Sequence, residues 1–269
     1  MTTHSATAGD GNSGTPFAPR ASRPRGISGL GCRAEAVSSI HKSARARFVW
    51  VHIRQLLPRS LRSYARRKHR TIVLRLALRA LRRNPRGSRK IWHDLVYGWG
   101  NPQWSALPEY LEAIAAAASA TSGPVLECGS GLSTLVLATI RAGGGPVCAL
   151  EEDAEWAARV ERALARHGLA ADVQYSPVRP YGHFDWYSVD PLALPVVSLV
   201  VCDGPRGSTR GGRYGLLPVA GTRLARGCRI LLDDAARDEE LHVLDRWAAE
   251  YHARIELFEG DEGYAEVWL

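Results

Sequence analysis

Val125-Leu126-Glu127-Cys128-Gly129-Ser130-Gly131-Leu132-Ser133 decides how this chain is read. An apolar run ends at an acid, two glycines flank one residue, and a helix-forming stretch from Leu132 to Arg141 follows. That order predicts a buried strand, a tight turn and a helix N-terminus. Glycine at 129 and 131 permits positive φ and removes the Cβ that would keep a ligand away. The first N–H groups of the helix have no partner within it and face the turn.

Downstream, apolar runs alternate with amphipathic ones. The pattern predicts strands at 124–128, 147–151, 172–176, 196–202, 228–232, 254–258 and 264–269, and helices at 132–141, 154–167, 214–224 and 238–251. Such alternation makes a mainly parallel sheet with helices on both faces. Between the last two strands lie only Glu259-Gly260-Asp261-Glu262-Gly263, so they form an antiparallel hairpin. The expected fold class is therefore α/β, a Rossmann-like, seven-stranded, mostly parallel sheet with an antiparallel last strand, preceded by basic N-terminal helices.

Acids stand where such a sheet binds ligands, outside the carboxyl ends of the strands. They are Glu127, Glu151, Asp203 and Asp233. Glu151, twenty residues after Gly131, is placed to accept hydrogen bonds from both hydroxyls of a ribose; of its neighbours Glu152 and Asp153, one shares that face and another caps the next helix. Glu127 repels a phosphate and holds an ammonium or a hydroxyl. A nucleoside carrying an amino acid fits this turn better than NAD or ATP.

Taken together, Glu127-Cys128-Gly129-Ser130-Gly131, Glu151, Ser198-Leu199-Val200-Val201-Cys202-Asp203-Gly204-Pro205 and the terminal hairpin resemble the class I S-adenosylmethionine-dependent methyltransferases over roughly residues 99–269. The resemblance implies S-adenosyl-L-methionine as donor, with Glu127, Gly129, Ser130, Gly131, Ser133, Glu151, Glu152 and Asp203 around it. The acceptor must be read from local chemistry. No Asn/Asp-Pro-Pro-Tyr/Phe stretch and no Pro-Cys pair occurs, which disfavours base amines and cytosine C5. Asp203 after one strand and Asp233-Asp234 after its neighbour converge at one cleft edge and resemble the acids of the metal-dependent O-methyltransferases. That likeness implies Mg²⁺ at Asp203, Asp233 and Asp234, with Asp203 and Asp233 catalytic; as capping groups, Asp233 or Asp234 would instead pair with Arg237. The leading expectation is methylation of an oxygen on a small-molecule acceptor. An RNA or protein methyltransferase, a non-catalytic methyltransferase-like scaffold and an aminopropyl transferase are the alternatives.

The Gly204–Tyr214 loop, with Arg206, Arg210 and Arg213, is expected to flank the cleft as a lid, its arginines binding an anionic acceptor or balancing nearby acids. Tyr181, His183, Trp186 and Tyr187 are either a loop anchor or a platform for the acceptor. The tryptophans of Trp99-Gly100-Asn101-Pro102-Gln103-Trp104-Ser105 either line a pocket or pin the N-terminal helices to the core.

Net charge is +8 over 269 residues, and it is unevenly spread. Residues 1–90 hold twenty-one Lys and Arg against Asp10 and Glu35; residues 91–269 hold fourteen against twenty-five acids. Residues 1–47 read as a disordered basic segment, 48–98 as a basic helical extension and 99–269 as the main domain. The helix expected at 61–83 carries Arg75, Arg79 and Arg83 beside Leu74, Leu78 and Leu81. Its basic stripe is either a solvated face or a surface for nucleic acid or an anionic membrane, the element that residues 48–90 would offer a partner. The five cysteines are odd in number and lack a C-x-x-C, which predicts buried free thiols. Met1 to Arg25 has no apolar secretory core, though its Arg-bearing, acid-poor composition also fits an organellar transit peptide; no apolar run reaches eighteen residues, and a cytoplasmic location is expected.

Overall fold

The structure, a computed structural model, describes residues 58–269. The expectations for residues 1–47, for Phe48–Leu57 and for Cys32 lie outside the described residues. Three helices come first: α1 (Arg59–Arg83), α2 (Arg89–Trp99) and α3 (Pro108–Ala120). On α1, Leu74, Ala77, Leu78 and Leu81 recur at helical spacing and are buried. They share one apolar cluster with Trp92 and Leu95 of α2 and with Leu135 and Val136 further on. At Gly98, a Cβ would lie 2.7 Å from the backbone nitrogen of Leu74, so α1 and α2 touch at a point where only glycine fits.

The α/β part follows: β1 (Val125–Cys128), α4 (Leu132–Ile140), β2 (Val147–Glu151), α5 (Ala154–His167), β3 (Asp172–Tyr175), β4 (Val178–Pro180), β5 (Asp185–Tyr187), β6 (Val197–Cys202), α6 (Leu216–Ala220), β7 (Leu224–Asp233), α7 (Asp238–Tyr251), β8 (Arg254–Phe258) and β9 (Tyr264–Trp268). Seven strands form one sheet in the order β3-β2-β1-β6-β7-β9-β8. Neighbours from β3 to β7 run parallel, and β9 lies antiparallel between β7 and β8. This is the Rossmann-like sheet with a reversed last strand that the sequence predicts.

Both faces of the sheet are covered, which is why its strands read as unbroken apolar runs. Side chains alternate: Val125, Leu199 and Val201 enter the cluster shared with α1–α5, while Leu126, Cys128, Val200 and Cys202 enter a second cluster with Trp186, Leu216 and Trp247. The period of two sends Glu127 to the first face, beneath α4. Four cysteines, 128, 148, 202 and 228, are buried and free, as expected. No helix among the described residues is long and apolar enough to cross a membrane.

Two local expectations fail. The helix predicted over 214–224 is a 3-10 turn at Gly212–Gly215, the five-residue α6 and another 3-10 turn at Gly221–Arg223. Gly215, Pro218 and Gly221 leave too little uninterrupted chain for a longer helix. Strand β7 instead begins at Leu224, pairing with Val197 ahead of a register irregularity. The small antiparallel pair β4–β5 was not predicted, because strands of three residues show no periodicity.

Leu81 is fully buried on α1. Leu81→Ala should lower the unfolding free energy by roughly 2–5 kcal/mol. A single cooperative melting transition shifted down as a whole is the expected result. Loss of a separate early transition, with the main one unmoved, would show that α1 is not part of this core.

Candidate active site

A cavity of about 530 Å³ opens at the carboxyl ends of β1, β2, β6 and β7. Asn101, Gln103, Trp104, Ser105 and Ala106 form one wall; the strand ends supply Gly129, Ser130, Glu151, Glu152, Asp153, Asp203, Gly204, Asp233 and Asp234.

Its floor depends on two glycines. Gly129 has φ +88°, and a Cβ there would sit 3.0 Å from the Gly204 nitrogen. At Gly204 a Cβ would sit 2.3 Å from the Tyr187 hydroxyl oxygen. The carbonyl of Cys128 accepts from both Asp203 N (2.9 Å) and Gly204 N (2.7 Å), drawing the turn after β1 against the exit of β6. Gly131 differs from expectation. Its φ of 174° is extended backbone, so no left-handed conformation requires glycine there. A Cβ at Gly131 would meet nothing closer than Ser133 Oγ at 4.0 Å, so the missing side chain leaves open space.

Ser130 is held at three points. Its N–H and its hydroxyl both donate to Glu151 Oε2 (2.9 and 2.7 Å), and its carbonyl accepts from Trp156 Nε1 (2.7 Å). Glu151 Oε1 accepts from Asp153 N at 3.0 Å. Asp153 caps α5 by accepting from Glu155 N and Trp156 N. These bonds, Trp156 N first, hold its carboxyl below the usual range. Glu152 pairs with Arg206 at 2.9 Å; burial raises its carboxyl and Arg206 opposes the rise. Of the three consecutive acids, one braces the turn, one meets an arginine and one caps the helix.

Glu127 and Ser133 stand behind the turn and do not line the cavity. Thr134 Oγ1 donates to Glu127 Oε2 at 2.6 Å and accepts from Gly131 N at 2.8 Å. Glu127 Oε1 is buried without a partner. Burial pushes this carboxyl up to about 8, against the hydrogen bonds from Thr134 and Ser133.

Asp203, Asp233 and Asp234 do converge, and Arg213 stands among them. Its Nη2 lies 3.1 Å from Asp203 Oδ1 and 2.7 Å from Asp234 Oδ2, and donates to the Asp203 carbonyl at 2.8 Å. Nη1 donates to the Asp233 carbonyl and lies 3.5 Å from Glu240 Oε1. The Arg213 side chain is 2% exposed. Burial works against its charge, but Asp203, Glu240 and Asp234 hold it protonated. Asp234, at φ +58°, also pairs through Oδ1 with Arg237 at 2.8 Å. Burial raises Asp233 well above the carboxylate range, and the charges of Asp203 and Asp234 add to it. Burial likewise lifts Asp203 to about 6, with Arg213 opposing; a third of that side chain still reaches solvent, which weakens the effect.

The metal expectation fits this geometry poorly. Each Asp234 oxygen already faces a guanidinium group, and Arg213 also takes up Asp203 Oδ1. A divalent cation there would stand against two fixed positive charges. Among the described residues no group of three or more His, Cys, Asp or Glu side chains is placed to hold a metal ion.

The Gly204–Tyr214 loop is pinned by all three of its arginines: Arg206 to Glu152 and Asp153, Arg210 to Asp185, Arg213 to the acids above. Of the aromatic cluster, Trp186 and Tyr187 are buried on β5, and Tyr187 lines the cavity. His183 instead contacts Arg246 and the Phe184 and Tyr214 rings, away from the cavity. The two tryptophans of the junction divide the two roles. Trp99 is buried edge-on against Trp156, while Trp104 lines the cavity at 69% exposure. Sequence reading missed the central place of Arg213 and the cavity-lining role of Trp156. The spacing of Arg213 before Tyr214 carries no signal by itself.

No protein-family model and no curated protein matches the chain. Several of the solved structures that this chain is similar to are methyltransferases. The precorrin-6y C5,15-methyltransferase of Geobacter metallireducens is 15% identical, covering 62% of this chain and 91% of its own, at a TM-score of 0.46. The O-methyltransferase TomG of Streptomyces achromogenes, in complex with SAM, is 15% identical over 67% of this chain and 88% of its own, with a TM-score of 0.48. An O-methyltransferase of Bacillus cereus, in complex with SAH, is 14% identical over 65% and 87%, with a TM-score of 0.47.

The buried Glu127 sets a pH dependence. Below about 4.5 the carboxyl is protonated folded or unfolded; above that the unfolded chain releases its proton while the folded one keeps it up to about 8. Stability from this group therefore falls as pH rises through that window. Glu127→Gln removes the titration, so its melting temperature should gain on the natural protein between pH 5 and pH 8. Parallel melting curves across that range would refute the assignment.

Proposed function

We propose that this protein is an S-adenosyl-L-methionine-dependent methyltransferase acting on an oxygen of a small molecule. One observation carries the reading, namely the charge of the cavity. Seven carboxyl groups line it (Glu151, Glu152, Asp153, Asp203, Asp233, Asp234 and Glu262) against three guanidinium groups (Arg206, Arg213 and Arg237), and each arginine is already paired with lining acids. Even with Asp233 neutralised by burial the balance stays negative. Such a site repels a pyrophosphate and favours a cationic sulfonium nucleoside.

The donor would lie along the Gly129–Gly131 turn. Glu151 and Glu152 are the acids for its sugar hydroxyls, and Ser130 and Asp203 border the same space. The unpartnered oxygen of Glu127 leaves a hydrogen-bonding group behind the donor's amino-acid end, with Ser133 beside it. When bound, S-adenosyl-L-methionine supplies an activated methyl group. The protein's part is to position the acceptor and remove its proton. Asp203, half-buried at the cavity wall, is the group to take the hydroxyl proton. Arg213 holds that carboxylate in place and favours its ionised form, and Asp233 sits behind it as a neutral neighbour. Trp104 and Tyr187 shape the acceptor side. Magnesium assistance is not part of this reading, because Arg213 and Arg237 already supply the cations that the acids require.

Calorimetry with S-adenosylhomocysteine tests the donor site. Binding is expected, with NAD and ATP failing to bind, and Glu151→Ala should weaken it roughly 10-fold or more. Preference for the pyrophosphate compounds would overturn the proposal. With an acceptor in hand, turnover should survive EDTA and rise as pH increases through about 6, following the ionisation of Asp203. Asp203→Asn should remove that limb and cost about 10²–10⁴ in rate. Loss of activity on chelation, restored by Mg²⁺, would reinstate the metal.

A further inference from the structure

Helix α1 has two apolar faces, and among the described residues only one is packed against the core. Leu74, Ala77, Leu78 and Leu81 pack into the core. At 100° per residue Leu61, Ala65, Ile72 and Leu76 fall within an arc of about 60° on the opposite side. Leu61, Ile72 and Leu76 are 52%, 57% and 58% exposed. Lys68 and Arg75 border this stripe on one side, Arg62 and Arg66 on the other, while Arg79 falls at its edge and Arg83 at its C-terminal end. The helix contains nine arginines and one lysine and no acid, and the first acid after it is Asp94. Among the described residues none of its cations is in an ion pair. Its docking onto the core is mainly apolar, with Arg70 turned to the Gly100 carbonyl and the Tyr97 ring, so the remaining cations are left for something else.

We propose that the outer face of α1 lies on an anionic phospholipid surface. On such a surface the apolar side chains of the outer stripe would enter the acyl boundary, and the flanking Lys and Arg would extend their heads to the lipid phosphates. The helix is about 37 Å long and does not meet the requirement for spanning a bilayer. Charge complementarity selects this occupant over a second copy of the chain, since two such faces would bring six cations from each copy together. It also selects it over RNA. Phosphate contacts would use the arginines but leave Ile72 and Leu76 in water, whereas a lipid surface uses both.

The test is sedimentation of the full chain with vesicles of phosphatidylcholine alone, or mixed with phosphatidylserine at about three to one. Binding is expected only to the mixed vesicles, weaker but persisting at raised salt. Ile72→Ser with Leu76→Ser should reduce it roughly 10-fold or more while leaving any RNA affinity unchanged. Arg75→Glu with Arg79→Glu should reduce it by a similar factor. All four residues are exposed, so the melting temperature of both variants should stay at the natural value; a variant that melts early is replaced by Leu61→Ser or Lys68→Glu on the same face. Failure to bind mixed vesicles at low salt overturns the proposal. So does undiminished binding by either variant, or complete displacement from vesicles by equimolar RNA.

Discussion

The buried guanidinium of Arg213 is the constraint on which one half of the cavity depends. Strands β6 and β7 end side by side in acids, and α7 begins with more. Without a cation among them, Asp203, Asp234 and Glu240 would repel one another in a place with little water. Arg213 answers this with charge and with hydrogen bonds to the carbonyls of Asp203 and Asp233, so the same group fixes both strand ends. Removing one member of such a buried network typically costs about 3–5 kcal/mol, because the others are left uncompensated. It also anchors the end of the Gly204–Tyr214 loop, whose remaining arginines pair at the surface, where each pair is worth about 0–1 kcal/mol. The loop is firm at Arg213 and loosely tied at Arg206 and Arg210.

The other half of the cavity is built differently. Its precision comes from small residues and carboxylate acceptors rather than ion pairs. Gly129 and Gly204 let two backbones meet, and Glu151 then locks Ser130 over the end of β2. Trp156 completes the brace from α5 while its ring meets Trp99 of α2. Through Trp99 the N-terminal helices reach the turn, so α2 bears on the site as well as on the core. Glu127 works from behind: its carboxyl orders Thr134, and Thr134 orders the Gly131 amide.

What the sequence makes legible follows from local physics. Central strands covered on both faces must be apolar throughout, so β1, β2 and β6 stand out, and turn residues mark their ends. Acids closing those strands are visible for the same reason, as is the short loop that forces β8 and β9 to pair. What stays hidden depends on distance along the chain. Arg213 looks like any loop arginine until the fold brings Asp203, Asp234 and Glu240 around it. The wall from Asn101 to Ala106 is legible only as one of two alternatives, and the fold assigns Trp104 to the cavity and Trp99 to the anchor. Strands β4 and β5 are too short to show a period. Gly131 teaches the reverse lesson: a glycine in a motif suggests a left-handed turn, but here only Gly129 adopts one. A set of acids able to serve a metal by type can equally be satisfied by arginine, and only coordinates separate the two.

The net charge of +8 is a poor description of this molecule, because opposite charges do separate work. The acids of the sheet gather at a cavity where water is scarce, so their interactions with Arg213 resist screening. The cations of α1 face solvent and are screened beyond about 8 Å at physiological salt. Ionic strength should therefore act on the outer face of the helix and scarcely on the site. The two are joined through apolar contact, Leu74 and Leu78 on one side and Trp92 and Leu95 on the other. Such contact uses the apolar side chains of the helix, so most of its cations stay on the outer side while its inner face serves the core.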